Sequence, residues 1–302
     1  MNSHHDPSAG PTRSPGDVSH LNRLLQAWSD ATTTKTGQPV VTGRLRRLVG
    51  ITVVVAMLDG LHDETGAERI AFKGGAALEL RFGFRARTSK DLDATYRGGI
   101  EEGFGLIRRR LAAGWRGFTA VVDDPEPVTR AGIDPPPLRT TIKLRYKDKP
   151  FVTVPFEIAA AEGRSMEVLE RLPSAVLLEP VQLEGPEVIP FLPIRYQIAQ
   201  KLHACTEDVG EPPNQRVRDL HDILLIEELA VEPDDHPAIR EACIETFNGR
   251  NRHAWPPEIT AWRGWGQLWA NLAAEEGLDT TLEEAITAVT AFVAAINTAA
   301  RA

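Results

Sequence analysis

Along residues 18–36, and again from about Thr42 to Leu61, apolar side chains return every three to four positions, the spacing of a helix with one buried face. In the second stretch Leu45, Leu48, Val49, Thr52, Val55 and Ala56 carry the repeat. The pattern then shortens. "RIAF" (69–72) is a short apolar strand that meets the tight "KGG", after which "AALELRF" resumes helical composition. "KDLDATY" (90–96) alternates, so Leu92 points one way while Asp91 and Asp93 share the other face. A basic helix is expected over 102–113, and "LRTTIKLRYKDKPFVTVPFEIAAA" reads as two strands joined at "KDK". Residues 161–194 are rich in Pro, Glu and Gly, with short apolar pieces such as "AVLLE". Beyond Pro193 the helical spacing dominates, over 194–208, 217–229, 237–248, 257–274 and 281–299. The plan is α+β: a tail at 1–17, a mixed sheet with flanking helices at 18–190, and a C-terminal helical bundle domain at 191–302, divided near "GPEVIPFLP".

Composition narrows the classes. With 42% hydrophobic and 25% charged residues, the 302-residue chain matches a soluble globular protein. The longest apolar run, "VVVAML" at 53–58, is too short to span a membrane. The first residues, "MNSHHDPSAGPTRSPGD", lack the apolar core of a secretory signal and read as a disordered tail. Cys205 and Cys243 lie far apart, which argues against a disulfide framework and fits a reducing, cytoplasmic compartment. The net charge of −8 is uneven: residues 1–190 hold 25 Lys+Arg against 24 Asp+Glu, and residues 191–302 hold 9 against 18. Within 81–116 there are nine basic residues and four acids. Such a stripe either holds phosphates, with Arg81, Arg85, Arg87 and the 108–110 run on a nucleic-acid backbone, or is a solvated face.

Candidate chemistry centres on the alternating strand. Carboxylates at i and i+2 sit on one face, roughly 6–7 Å apart at the α-carbons. Hard Mg²⁺ takes a few carboxylates together with phosphate oxygens. Asp91 and Asp93 have that spacing, though surface strands often carry the same pair. Upstream, Gly74 and Gly75 open a helix where backbone N–H groups can approach a phosphate, and Lys73 can reach one; the alternative is a turn that needs glycine for its angles alone. In "FVTVPFEIA", Glu157 is the only acid and shares its face with Thr153 and Pro155, as a third metal ligand, a base, or a carboxylate facing water. Later, Lys201 flanks the buried stripe of one helix while Arg218, Asp219 and Asp222 fall within one turn of the next. A salt bridge pinning the two helices explains that group equally well.

Together, "FKGGAALELRFGFRARTSKDLDATY" and the later "IAQKLHA" and "RVRDLHDI" resemble the AbiEii/AbiGii nucleotidyltransferase-like toxins, in particular their MenT branch. That family carries a Lys-Gly-Gly segment, an Arg-x-Ser-x-Asp-Leu-Asp strand, an Ala-x-Lys-Leu helix and an Arg-Asp-Leu-x-Asp helix; all four occur in order across roughly 69–229. The resemblance implies a nucleotidyltransferase-like sheet, and the toxin of a toxin–antitoxin or phage-defence pair. Its expected substrates are a nucleoside triphosphate, CTP or UTP, and the 3′ end of tRNA, and its expected cofactor is Mg²⁺ or Mn²⁺. Ser89, Asp91, Lys201 and Asp222 match the family's active-site positions. On this view Asp91, Asp93 and Glu157 hold the metal. Lys73, Gly74, Gly75, Arg87, Ser89, Arg218 and Asp219 contact substrate, and a cognate antitoxin phosphorylates Ser89. Transfer to a protein hydroxyl or a small molecule, or a catalytically inactive binding module, stays open at this point.

Overall fold

The computed structural model describes residues 14–36, 39–128 and 135–299. Two helices open the chain, α1 (Val18–Thr36) and α2 (Thr42–Leu58), the second three residues shorter than its apolar repeat suggests. They lead into β1 (Ile70–Lys73), α3 (Gly74–Phe82), β2 (Leu92–Tyr96) and α4 (Ile100–Ala112). Strands β3 (Phe118–Val122), β4 (Glu126–Pro127), β5 (Leu138–Tyr146), β6 (Lys149–Ala160), β7 (Glu170–Leu172) and β8 (Ile189–Phe191) complete one mixed sheet. Its order is β3-β5-β6-β2-β1-β8-β7, with β4 also on β5. The remaining described elements are helical: α5 (Ile194–Thr206), α6 (Arg218–Ala230), α7 (His236–Arg250), α8 (Trp265–Glu276) and α9 (Leu282–Thr298).

Alternation builds the sheet. On β2 and β6, Leu92, Ala94, Tyr96, Val154, Phe156 and Ile158 are buried together beneath α1, α2 and α4. The β5–β6 connection turns on Lys147 (φ 45) and Asp148 (φ 65), the paired left-handed backbone of a two-residue hairpin. Gly103 lets α4 lie on the sheet, because a Cβ there would overlap the Tyr96 ring.

The opposite face meets a second core, in which Ala71, Leu78, Ala86 and Leu192 pack against α5–α9. Both faces are thus covered.

Four expectations change. Strands β7 and β8 lie inside the Pro- and Glu-rich 161–194 segment, and β8 pairs parallel to β1 through Phe72 and Phe191. Phe191 therefore belongs to the sheet, at the position where the helical half was expected to begin. Helix α8 starts at Trp265 rather than near 257, after Pro256, Pro257 and a left-handed Gly264. The proposed tail at 1–17 lies outside the described residues up to 13. Its last part docks: Pro15 is buried, and its carbonyl accepts from Tyr146 Oη at 2.7 Å and Lys147 Nζ at 2.8 Å. No helix among the described residues is long and apolar enough to cross a membrane. Both cysteines are free and buried.

Candidate active site

Strand register brings a polar row onto the sheet face that meets the helices. Lys73 on β1 pairs with Asp93 on β2, Asp93 with Glu157 on β6, and Glu157 with Arg139 on β5. The row therefore reads plus, minus, minus, plus across four strands. Arg139 Nη2 donates to Glu157 Oε2 at 2.8 Å, and Lys73 Nζ donates to Gln200 Oε1 on α5 at 3.4 Å. Burial and the adjacent Glu157 carboxylate push the Asp93 pKa up, and burial pushes that of Lys73 down. Two carboxylates side by side in such a place favour an incoming cation.

Lys73, Asp93 and Glu157 of this row form one side of a cleft of about 580 Å³ whose other walls are α5, the 207–217 segment, and the ends of α6 and α7. That size suits a nucleotide. Gly74 lines it at the start of α3, with φ 72, and a Cβ there would overlap Asp93 Oδ2. A Cβ on Gly75 would sit 2.9 Å from Ser89 Oγ and 3.2 Å from Arg87 Nη2, so the 87–89 segment presses directly on the helix start. Close approach thus requires both glycines, and at Gly74 the backbone angle requires it as well.

Behind the cleft wall runs a chain of ion pairs. Lys201 Nζ donates to Asp219 Oδ1 at 2.9 Å and to Asp222 Oδ2 at 2.6 Å. Arg87 grips Asp222 through two parallel bonds, Nε to Oδ1 at 2.9 Å and Nη2 to Oδ2 at 2.8 Å. Burial opposes every charge here, yet the pairing outweighs it. Lys201 and Arg87 are held above their ordinary pKa values, and Asp222 well below the carboxylate range. The salt-bridge reading of Lys201 describes this geometry, with Lys201 and Asp219 still on the cleft wall.

The expected site residues divide accordingly. Lys73, Gly74, Asp93, Glu157, Lys201 and Asp219 line the cleft. Asp222 is 1% exposed and lies behind it. Asp91 precedes β2, is exposed, and is not part of the lining. Among the described residues, no three His, Cys, Asp or Glu side chains converge to hold a metal by themselves, so the trio of Asp91, Asp93 and Glu157 is not assembled. Asp93 and Glu157, in register on neighbouring strands and both in the cleft lining, are a carboxylate pair that substrate oxygens could complete.

Ser89 is 6% exposed; its N–H donates to Glu79 Oε2 at 2.9 Å and its Oγ to the Asp91 carbonyl at 3.2 Å. Arg218 turns outward to Glu275 at 3.6 Å.

Arg87 is not on an open basic face, because its Nε and Nη2 go to Asp222 and its Nη1 to the Thr88 carbonyl. Arg81, Arg85 and Arg108 pair with Glu170, Glu228 and Asp124, and Arg110 donates to the Asp59 carbonyl. The stripe is substantially paired.

Sequence reasoning missed Arg139, Gln197, Gln200 and Arg216. Gln197 is four residues before Lys201, so helical spacing alone places it on the same face.

No curated protein matches the chain. Among solved structures it is similar to MenT4, a nucleotidyltransferase toxin from Mycobacterium tuberculosis, at 16% identity and TM-score 0.55, over 94% of this chain and 99% of that one. It is also matched to an antigenic nucleotidyltransferase-like protein from Paracoccidioides brasiliensis, at 16% identity and TM-score 0.39, over 80% and 93% of the two chains. The family profile described as "Nucleotidyl transferase AbiEii toxin, Type IV TA system" matches residues 56–293. That span holds the whole polar row, the cleft and the ion-pair chain. The chain belongs to the AbiEii family of nucleotidyltransferase toxins.

Proposed function

We propose that this toxin transfers a nucleoside monophosphate from CTP or UTP to the 3′ end of tRNA in the cytoplasm, releasing pyrophosphate and blocking translation. The observation that carries the reading is the Lys73–Asp93–Glu157 row facing α5 across a nucleotide-sized cleft. Acceptor and nucleotide preference follow the family resemblance.

In this reading Asp93 and Glu157 hold Mg²⁺, or Mn²⁺ in its place, with the exposed Asp91 beside them. The ion, when bound, supplies positive charge to the phosphate oxygens during in-line displacement. The chain does the rest. Gly74 and Gly75 let the start of α3 approach the triphosphate, and Lys73 adds charge from the cleft floor. The acceptor 3′ hydroxyl attacks the α-phosphorus and its proton passes to a carboxylate of the row. Arg87, Asp222 and Lys201 hold α5 and α6 against the sheet, which fixes the cleft width and orients the reactants. An antitoxin partner that phosphorylates Ser89 would need the 86–91 segment to open first, given the burial of that side chain.

The test incubates the protein with total tRNA and, separately, each of the four α-labelled nucleoside triphosphates, with and without a divalent-metal chelator. Label at the tRNA 3′ end from CTP or UTP, abolished by the chelator, is the expected result. Triphosphate binding without tRNA labelling would move the acceptor to a protein hydroxyl or a small molecule. No triphosphate binding would leave a non-catalytic module.

A further inference from the structure

Five cations line the cleft, and ion pairs account for three. Lys201 is held by Asp219 and Asp222, Arg250 by Glu162 at 2.9 Å, and Arg252 by Glu207 at 2.9 Å. Among the described residues, Lys73 and Arg216 make no ion pair, and the Arg216 side chain makes no hydrogen bond either.

Arg216 lies on the segment that links α5 to α6. The backbone of this segment is fixed from several sides. Asn214, 2% exposed, donates through Nδ2 to the carbonyls of Ala204 at 2.8 Å and Glu207 at 2.9 Å. Its Oδ1 accepts the Arg216 N–H at 2.7 Å, and its carbonyl accepts from Trp265 Nε1 at 2.7 Å. Trp262 Nε1 donates to the Cys205 carbonyl at 2.9 Å, at the root of the segment. Side chains of the helical half thus hold the main chain near Arg216 in place, while Arg216, an exposed residue, lines the cleft.

Arg250 and Arg252, in the same lining, each have a carboxylate acceptor, and Arg216 has none among the described residues. A rigid backbone that presents an unused planar fork of five N–H donors to a cleft is preorganised for phosphate. We propose that Arg216 binds a phosphate of the substrates, in the triphosphate or in the acceptor strand. This deepens the nucleotidyltransferase reading and rests on it.

The test uses the full chain and the variants Arg216→Gln, Arg216→Lys and Arg216→Glu, with melting temperatures matched to the wild type. Triphosphate binding with Mg²⁺ is measured by calorimetry, and tRNA binding by fluorescence anisotropy over a range of salt. If the phosphate belongs to the triphosphate, Arg216→Gln weakens its binding about tenfold or more, Arg216→Lys less, and tRNA binding holds. If it belongs to the acceptor, triphosphate binding holds while tRNA affinity falls by a similar factor, with a salt slope lower by about one. Unchanged affinity for both ligands in the Gln and Glu variants overturns the proposal while leaving the enzyme reading intact. A wild-type protein that binds neither ligand overturns both.

Discussion

Lys201 has three N–H bonds to give, and Asp219 and Asp222 take two of them. Spacing along the chain made that pairing legible, since the two acids lie one helical turn apart. Arg87 was not legible as their partner: it sits 135 residues before Asp222, on another element, and only the packed fold brings them together. Linkage gives this chain a defined pH range. The depressed Asp222 adds stability above its unfolded value near 3.8, lost as pH falls further, and the raised Lys201 adds stability below 10.5, lost as pH climbs past it. A different acid sensitivity comes from His203, which is fully buried against Phe247 and His253 and receives Arg250 Nη1 on Nδ1 at 3.4 Å. Burial and the Arg250 charge lower its pKa from 6.5 to about 3. Between those values the unfolded chain binds one proton more, so stability declines as pH drops through that range, by roughly 1.4 kcal/mol per pH unit for one proton. His203→Gln is expected to flatten the decline by about one proton between pH 6.5 and 4, measured by urea unfolding at several pH values. Parallel curves for the two proteins would contradict this.

The strand carrying Asp93, and the glycines opening α3, were readable from alternation and punctuation. Their functional distance was not. Gly74 combines a left-handed φ of 72 with direct contact to Asp93, so Gly74→Ala meets both backbone strain and overlap. It is expected to lose about 1–3 kcal/mol of stability. Nucleotide affinity is expected to fall with it, and wild-type affinity in the Ala variant would count against a role for this turn. The β5–β6 hairpin shows why Arg139 escaped notice. Counting back from the turn places Leu138 opposite Glu157, but a bulge between Leu144 and Arg145 shifts the register by one and puts Arg139 there instead. Strands β7 and β8 were hidden for a simpler reason. Each is three residues long, too short for periodicity, and β8 is specified by its pairing with Phe72 far upstream.

At the scale of the molecule, the uneven charge takes on a structural meaning. The acidic helical half receives arginines from the first half: Arg85 on Glu228 at 2.6 Å, Arg87 on Asp222 at 2.8 Å, Arg164 on Glu245 at 3.3 Å and Arg44 near Glu276 at 4.0 Å. Within the basic stripe Arg85 and Arg87 complement that acidic half, while Arg81, Arg108 and Arg116 pair with acids of the first half. The exposed pairs are worth little and exchange easily, whereas Arg87–Asp222 is buried and positions the helices. Two cores lie one on each sheet face, and Lys73, Asp93 and Glu157 of the polar row line the cleft. We propose this row as the centre of nucleotide transfer. The most direct measurement is the transfer rate of Asp93→Asn at saturating triphosphate and tRNA, after confirming an unchanged melting temperature. Asparagine keeps the shape and removes the charge that would hold the cation. A fall of about a hundredfold or more is the predicted result; a rate close to wild type would show that the reaction happens elsewhere.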